Sequence, residues 1–212
     1  MKQLIIVTQW LTTFGWRIKN TLLLRARVKH EARLHEVIRL KKQTGMSVVI
    51  IANHLSASDP FIITGTFPKK LKSALFPIYF LAKKELFETR TGDRVMRLLG
   101  CIPIGFGRGQ NVRDVIKMVH AAETICLFPE GQVSLDGDFG ADLGALTLFS
   151  RFSPLIVFPV RLDGFLGSAS FPRDMRQILS LQRTASITFG APFVLEKGTT
   201  VDAMEIIKQV EP

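Results

Sequence analysis

Short apolar segments separated by helix-like segments are the feature that most restricts the fold of this chain. They are four to six residues long and rich in Val, Ile, Leu and Phe, which is typical of buried strands. The predicted strands are 48–52, 77–82, 101–104, 124–128, 155–160 and 186–190, and the predicted helices are 60–66, 93–99, 111–122, 140–151 and 201–209. Strands that alternate with helices pair in parallel through right-handed crossovers. The pattern therefore predicts an α/β fold with a largely parallel central sheet flanked by helices.

The first 45 residues concentrate the positive charge of the chain. They hold ten Lys or Arg against two Glu, which gives +8 of the formal net charge of +10. Apolar residues recur there at helical spacing; they are Val7, Leu11, Phe14, Ile18 and Leu22, with Trp10 and Trp16 beside them. We therefore expect a basic, membrane-associating amphipathic helix pair over residues 1–45 and an α/β domain over residues 46–212.

This N-terminal segment is expected to lie on a membrane rather than to cross one. Gln9, Arg17 and Lys19 interrupt its apolar run, well before the ~20 residues that span a bilayer. Interfacial helices place Trp at the membrane boundary and direct Lys or Arg toward anionic lipid. The pattern predicts a peripheral or monotopic protein on the cytoplasmic face of a membrane. An ordinary amphipathic helix packed on the domain is the alternative.

Other partners find less support in the sequence. Lys and Arg clusters attract nucleic acids as well as lipids, but no nucleic-acid motif is present and the aromatic residues follow an apolar helix face. We therefore expect no nucleic-acid partner. Cys101 and Cys126 fall beside or within predicted strands, which favours buried free thiols in a reducing compartment. No residue spacing typical of a metal site occurs.

An imidazole and a carboxylate follow the predicted strand 48–52. His54 and Asp59 are five residues apart, and on one helix their side chains would point about 140° away from each other. Asp59-Pro60 is a good helix start, with Asp as N-cap and Pro at the first helical position. His54 then lies on the loop before the helix, where Asp59 can hold one ring nitrogen and leave the other as a general base. A structural or surface histidine is the competing interpretation.

A second carboxylate follows the predicted strand 124–128. The segment Phe128–Gly131, of sequence Phe-Pro-Glu-Gly, places Glu130 on a tight turn. Ligands of open α/β sheets bind outside the carboxyl ends of the strands. The two groups of polar residues therefore point to one crevice. The remaining histidines lack an acidic partner at a meaningful spacing and are expected at the surface; they are His30, His35 and His120.

These motifs together resemble the glycerophospholipid acyltransferase family typified by lysophosphatidate acyltransferase (PlsC-like). The resemblance rests on Asn53-His54-x-Ser56-x-x-Asp59 and on Phe128–Gly131. Weaker matches are 82–87, 96–102, 134–137 and 157–160, and the resemblance covers residues 30 to 195.

The resemblance implies an O-acyltransferase of phospholipid biosynthesis. A fatty acyl group would pass from acyl-CoA or acyl-carrier protein to the hydroxyl of a lysophospholipid, by default 1-acylglycerol-3-phosphate, with no further cofactor. His54 would be the general base and Asp59 would orient it, without an acyl-enzyme. Glu130 is expected to bind the acceptor or to organise the site. The substrate-binding residues implied by the resemblance are Lys83, Arg108, Phe128, Pro129, Glu130 and Gly131.

The chain also departs from the family pattern, and these departures concern the acceptor. Relatives that use phosphate-bearing acceptors usually carry arginines where this chain has Phe106 and Val133, and a lysine expected soon after Phe139 is absent. Arg108, in a glycine-containing run, is a candidate replacement for the first arginine, or else a solvated loop residue. The acceptor therefore stays open between lysophosphatidate and another lipid. A lipid-binding protein without turnover is the non-enzymatic alternative.

A serine nucleophile is the competing mechanism. Ser56 and Ser58 are close to His54 in sequence, but neither lies in a Gly-x-Ser-x-Gly elbow. We expect their hydroxyls to bond backbone amides around the start of the helix instead.

Overall fold

The computed structural model describes residues 1–18, 26–104, 110–134, 142, 144–164 and 185–211. Its strands are β1 (Arg27–Lys29), β2 (Val48–Ala52), β3 (Ile78–Lys83), β4 (Cys101–Ile104), β5 (Thr124–Leu127), β6 (Leu155–Asp163), β7 (Ser186–Phe189) and β8 (Phe193–Leu195). Its helices are α1 (Lys2–Ile18), α2 (Arg33–Thr44), α3 (Asp59–Thr66), α4 (Lys69–Leu75), α5 (Arg90–Leu98), α6 (Gln110–His120), α7 (Ala145–Ser150) and α8 (Ala203–Lys208). A 3₁₀ turn, Lys84–Phe87, follows β3.

The described strands form one sheet of order β1-β7-β6-β2-β5-β3-β4, and β8 also pairs with β6. Strand β2 is central and runs parallel to both of its neighbours, β5 and β6. Strand β3 is parallel to β5 and to β4, whereas β6 pairs with β7 and β8 in antiparallel register. The carboxyl ends of β2, β5 and β3 therefore open at the same edge. This topology confirms the predicted α/β fold with its largely parallel sheet.

Both faces of the sheet are covered, which explains why its central strands are continuously apolar. Every residue of β2 is fully buried, and alternate side chains enter opposite layers. One layer packs Ile50 with Phe158 and Phe189, whose rings stack with centroids 5.5 Å apart. The other layer packs Ile51 and Val157 with residues of α6, α7 and α8.

The predicted strands and helices are all present, with their ends shifted by a few residues. Helix 140–151 is described only as α7, and residues 140, 141 and 143 lie outside the described residues. Sequence reasoning missed β1, α4, the 3₁₀ turn and β8. Strand β1, of sequence Arg-Val-Lys, has no apolar pattern and joins the sheet through backbone pairing with β7.

The predicted N-terminal helix pair is present as α1 and α2, with β1 lying between the two helices. Helix α2 buries Leu34, Val37 and Ile38 in the core layer beside β2. The division of the chain at residue 45 stays a prediction. None of the described helices combines the length and the apolar character needed to cross a bilayer.

Helix α1 directs Ile5, Gln9 and Thr13 toward the domain. Gln9 is buried, and its Nε2 donates to the carbonyl oxygens of Ile78 and Leu99 at 2.5 and 2.9 Å. Its Oε1 accepts a hydrogen bond from the Ile78 N–H at 3.0 Å. One side chain thus satisfies the backbone at the start of β3 and the end of α5, which attaches α1 to the domain by polar bonds.

Helix α1 also approaches α3 closely at Gly65. A Cβ at this glycine would lie 3.2 Å from the Cβ of Trp16 and 3.3 Å from the backbone nitrogen of Arg17. Slightly farther along, the rings of Trp16 and Phe61 stack with centroids 6.1 Å apart. The small residue therefore allows the backbones of the two helices to come together.

Lys72 is a buried lysine between α1 and α4. Its Nζ donates to Thr13 Oγ1 at 2.7 Å and lies 5.7 Å from the ring centroids of Trp10 and Phe76. Among the described residues, no carboxylate forms an ion pair with Lys72. Burial, together with the nearby positive charges of Arg17 and Lys69, lowers the pKa of Lys72 to about 8.

The lowered pKa of Lys72 predicts a pH-dependent contribution to stability. Between pH of about 8 and 10.5, the unfolded chain binds a proton at this lysine that the folded protein does not bind. The free energy of unfolding should therefore rise as pH increases through this window. Lys72→Met should remove that part of the rise, measured by urea unfolding at several pH values. Lys70→Met, at an exposed position of the same helix, is the control, and equal pH dependence in the two variants would contradict the prediction.

Candidate active site

The site begins at the carboxyl end of β2, where Asn53 connects two neighbouring strands. The Asn53 Nδ2 donates to the Leu162 carbonyl at 2.9 Å, and its Oδ1 accepts from the Leu162 N–H at 2.8 Å. The buried amide thereby extends the pairing of β2 with β6 by one residue beyond the regular ladder. This fixes the backbone directly before His54. Sequence reasoning missed the role of Asn53, because nothing local indicates a partner 109 residues away.

His54 and Asp59 form the expected pair. His54 Nδ1 lies 2.9 Å from Asp59 Oδ2, and the Asp59 side chain is fully buried, whereas 17% of the His54 side chain is exposed. The same Oδ2 accepts the backbone N–H groups of Leu55 and Ser56 at 2.6 and 2.8 Å. Burial raises the pKa of the Asp59 carboxyl, and the bond from His54 and the two backbone bonds oppose this effect. With Nδ1 bonded to the carboxylate, Nε2 is the ring nitrogen left for a substrate.

The start of α3 differs in detail from the prediction. Asp59 was expected as N-cap with Pro60 first in the helix, but the helix begins at Asp59 and Ser58 precedes it. The physical reason is that the Asp59 carboxylate bonds the preceding loop and His54 rather than the amides of its own helix. Ser56 has the predicted local role, because its Oγ accepts the N–H of Ser58 at 3.1 Å.

The segment Phe128–Gly131 lies against His54, as the motif predicted. Glu130 is buried and its Oε2 accepts the backbone N–H of His54 at 3.2 Å. The ring of Phe128 stacks on the imidazole, with centroids 4.2 Å apart and planes 23° apart. Gly131 has a φ of +65° and donates its N–H to the Phe128 carbonyl at 3.0 Å. This left-handed turn favours glycine and brings the ring and the carboxylate to the same histidine.

Four contacts consequently hold the ring and the backbone of His54. Asp59 holds its ring nitrogen, Phe128 covers its ring, and Glu130 accepts its N–H. Its carbonyl accepts the N–H of Ser134 at 2.7 Å. Glu130 thus holds His54 through the backbone, and its role in acceptor binding or site organisation stays a prediction. No local pattern indicated that Phe128 would stack on the histidine itself.

The other predicted substrate-binding residues are placed differently. Pro129 belongs to the turn beside His54, but Lys83 is exposed at the end of β3. Alternate residues of a strand face opposite sides of the sheet, so Lys83 faces the same side as Leu81, which packs with α6. Phe80 and Phe128 pack on the opposite side, so Lys83 faces away from the layer of Phe128. Arg108 and Phe106 lie outside the described residues.

The remaining histidines and cysteines take no part in this site. His30, His35 and His120 are exposed, as predicted. Cys101 and Cys126 are free thiols, and burial raises the pKa of both, to about 12 for Cys101. Within the described ranges, no three His, Cys, Asp or Glu side chains are grouped in a way that could hold a metal ion.

Comparison with known proteins defines the class to which this fold and site belong. The family model described as Acyltransferase matches residues 25–162. The model covers well over half of the chain, so this protein belongs to the acyltransferase family. The resemblance of the two motifs to that family is thereby confirmed.

Individual relatives and a solved structure agree with this assignment. The chain is 29% identical over 130 residues to a probable 1-acyl-sn-glycerol-3-phosphate acyltransferase of Mycoplasma pneumoniae, covering 57% of this chain and 46% of that protein. A protein of the same description from Mycoplasma genitalium is 28% identical over 139 residues, covering 61% and 49%. The chain thus spans about half the length of these relatives.

The crystal structure of the 1-acyl-sn-glycerophosphate (LPA) acyltransferase PlsC from Thermotoga maritima superposes with a TM-score of 0.52. Sequence identity is 19%, and the match covers 99% of this chain and 92% of that one. At this identity the likeness establishes a shared fold.

The geometry predicts the tautomer of His54. Because the Asp59 carboxylate accepts the Nδ1 proton, neutral His54 should carry its proton on Nδ1 and leave Nε2 unprotonated. Nitrogen-15 NMR of the imidazole should show this tautomer, and Asp59→Asn should reduce its population. The exposed His35 is the internal control and should be unaffected by the substitution. A native His54 protonated mainly on Nε2 would contradict the assigned geometry.

Proposed function

We propose that this protein transfers an acyl group from a thioester to the hydroxyl of a lysophospholipid. The observation that carries the proposal is the His54–Asp59 pair, 2.9 Å apart, at the carboxyl end of the central strand. The proposed donor is acyl-CoA or acyl-carrier protein. The proposed acceptor is 1-acylglycerol-3-phosphate, supported by the names of the two Mycoplasma relatives.

In the proposed mechanism, His54 is the general base. Its Nε2 takes the proton of the acceptor hydroxyl while that oxygen attacks the thioester carbonyl carbon. The new C–O bond forms, the C–S bond breaks, and the proton passes from His54 to the leaving thiolate. Asp59 keeps the ring oriented and stabilises its protonated form, and no acyl-enzyme is required. The contacts of Phe128 and Glu130 support this role because they fix the imidazole before substrate binds.

Binding without turnover is the alternative function, prompted by the departures at Phe106 and Val133. The structure favours catalysis over this alternative. A lipid-binding protein has no need for a buried carboxylate oriented on a partly exposed imidazole, and such polar groups are costly to bury unless they are used or fully bonded.

The mechanism predicts a large kinetic defect when the base is removed. His54→Ala should lower the rate of acyl transfer by about 10²- to 10⁴-fold, the usual contribution of general-base catalysis. Release of thiol from acyl-CoA, or transfer from acyl-carrier protein, measures the reaction with lysophosphatidate and other lysolipids in detergent micelles. Lysophosphatidate should be the preferred acceptor. His35→Ala is the control, and an unchanged rate in a folded His54→Ala protein would refute the mechanism.

We further propose that α1 lies on a lipid surface. Its outward face is apolar: Leu4, Val7 and Phe14 are each just over half exposed, and Leu11 is 70% exposed. These residues follow one another at intervals of three and four, as one stripe of a helix does. The inner face is fixed to the domain through Gln9 and Thr13. The helix is therefore docked on the domain and still presents an apolar stripe, so the two interpretations of the segment are compatible.

The stripe should contribute directly to membrane binding. Leu11→Ser combined with Phe14→Ser should weaken partition into phosphatidylcholine vesicles by about tenfold or more, since full burial of such a side chain contributes about 1.5–3 kcal/mol and these two are already partly buried in the protein. Vesicle flotation measures the effect. Val28→Ser, a partly exposed valine on β1, is the control. Equal partition of the double variant and the native protein would argue against the proposed orientation.

A further inference from the structure

The end of α1 and helix α4 form a surface that is positive and lacks any acidic residue. Neither helix contains Asp or Glu, and no carboxylate occurs between Pro60 and Lys84. The exposed cations of this surface are Arg17, Lys69 and Lys70, and Lys72 is buried between the two helices. Within the described part of the chain, none of them forms an ion pair. The surface therefore lacks the internal neutralisation that ion pairs such as Lys2–Glu123 provide elsewhere.

A cation and an apolar ring are in contact on this surface. The Lys69 Nζ lies 5.4 Å from the centroid of the Phe14 ring. Phe14 is 52% exposed, and Leu11 lies one turn before it on the same stripe. A soluble anion would contact the ammonium and leave the ring in water. An anionic amphiphile would satisfy both groups, because its head meets the cation while its chains receive the ring.

The positive charge extends beneath the surface. Lys72 is only 2% exposed and bonds Thr13 between α1 and α4. The lowered pKa of Lys72 reflects its burial and the positive charges of Arg17 and Lys69. These cations repel one another, so an anion bound among them would be favoured by all three. Arg17 bonds the Phe67 carbonyl through one Nη at 3.5 Å, and the other donors of its guanidinium fork suit phosphate oxygens.

We propose that Arg17 and Lys69 bind the phosphate of an anionic phospholipid headgroup, with Phe14 inserted beside it among the acyl chains. This site rests on the membrane docking of α1 proposed above and specifies its ligand. The headgroup is bound at the α1–α4 seam, separate from the His54 crevice. It orients the protein on the membrane and is not consumed.

The test compares vesicles of phosphatidylcholine alone with vesicles of equal parts phosphatidylcholine and phosphatidylglycerol, using the full chain. The site variant is Arg17→Gln with Lys69→Gln. The matched control is Lys42→Gln with Lys197→Gln, which removes two exposed cations elsewhere. Each charge at an anionic surface contributes about fivefold to binding. The site variant should therefore lose roughly 25-fold in affinity for the anionic vesicles, bind neutral vesicles as the native protein does, and retain its acyl-transfer rate in micelles.

Three results would overturn this site. Equal losses in the site variant and the control would show that only overall charge matters. Binding of the site variant to anionic vesicles with the affinity of the native protein would show that Arg17 and Lys69 do not bind the headgroup. Displacement of the native protein from anionic vesicles by inorganic phosphate, at constant ionic strength, would assign the cations to a soluble phosphate.

Membrane docking by α1 and catalysis by His54 are tested by other variants. Unchanged vesicle partition of the Leu11→Ser, Phe14→Ser variant would refute membrane docking by α1. An unchanged acyl-transfer rate of His54→Ala in micelles would refute catalysis by His54. Neither measurement depends on Arg17 or Lys69.

Discussion

The hydrogen bonds to one buried oxygen, Asp59 Oδ2, determine the arrangement of the site. A carboxylate with no solvent exposure is costly unless its neighbours donate to it. Here the donors come from His54, Leu55 and Ser56, three residues of the loop between β2 and α3. The loop therefore closes around the carboxylate, and the histidine is oriented by the same bonds that stabilise the loop. Site geometry and local folding thus have one cause.

The second motif supports this arrangement through the backbone. Glu130 accepts the His54 N–H, and the Ser134 N–H donates to the His54 carbonyl. Both lie after β5, which is paired in parallel with β2, so the sheet itself brings them to the histidine. The Phe-Pro-Glu-Gly turn consequently holds both the ring and the backbone of His54. A change at Glu130 would therefore alter the position of His54 through its backbone.

Sequence reasoning succeeded where a local pattern determines the outcome. The buried strands β2, β5 and β6 were predicted because sheets covered on both faces require apolar runs, and the His54–Asp59 contact followed from the incompatibility of their spacing with a single helix. It failed where the cause is distant in sequence. Strand β1 has no apolar pattern and exists through its pairing with β7.

The hydrogen-bond partners of two polar side chains could not be predicted from the sequence for the same reason. Asn53 bonds Leu162, and Gln9 bonds the backbone at Ile78, across separations that no local motif records. Gln9 was counted as an interruption of an apolar helix. In the structure it is the inward attachment of α1, and Leu4, Val7, Leu11 and Phe14 face outward on the other side of that helix.

The close approach at Gly65 joins the helix beside the candidate site to the helix that carries the exposed apolar stripe. This glycine lies on the helix that begins at Asp59, and it touches the backbone of the helix that carries the exposed apolar stripe. The absence of a methyl group at Gly65 therefore allows α1 to lie directly against α3, the helix that follows the His54 loop. In the proposed membrane orientation, the close packing at Gly65 limits the distance between the lipid surface and His54.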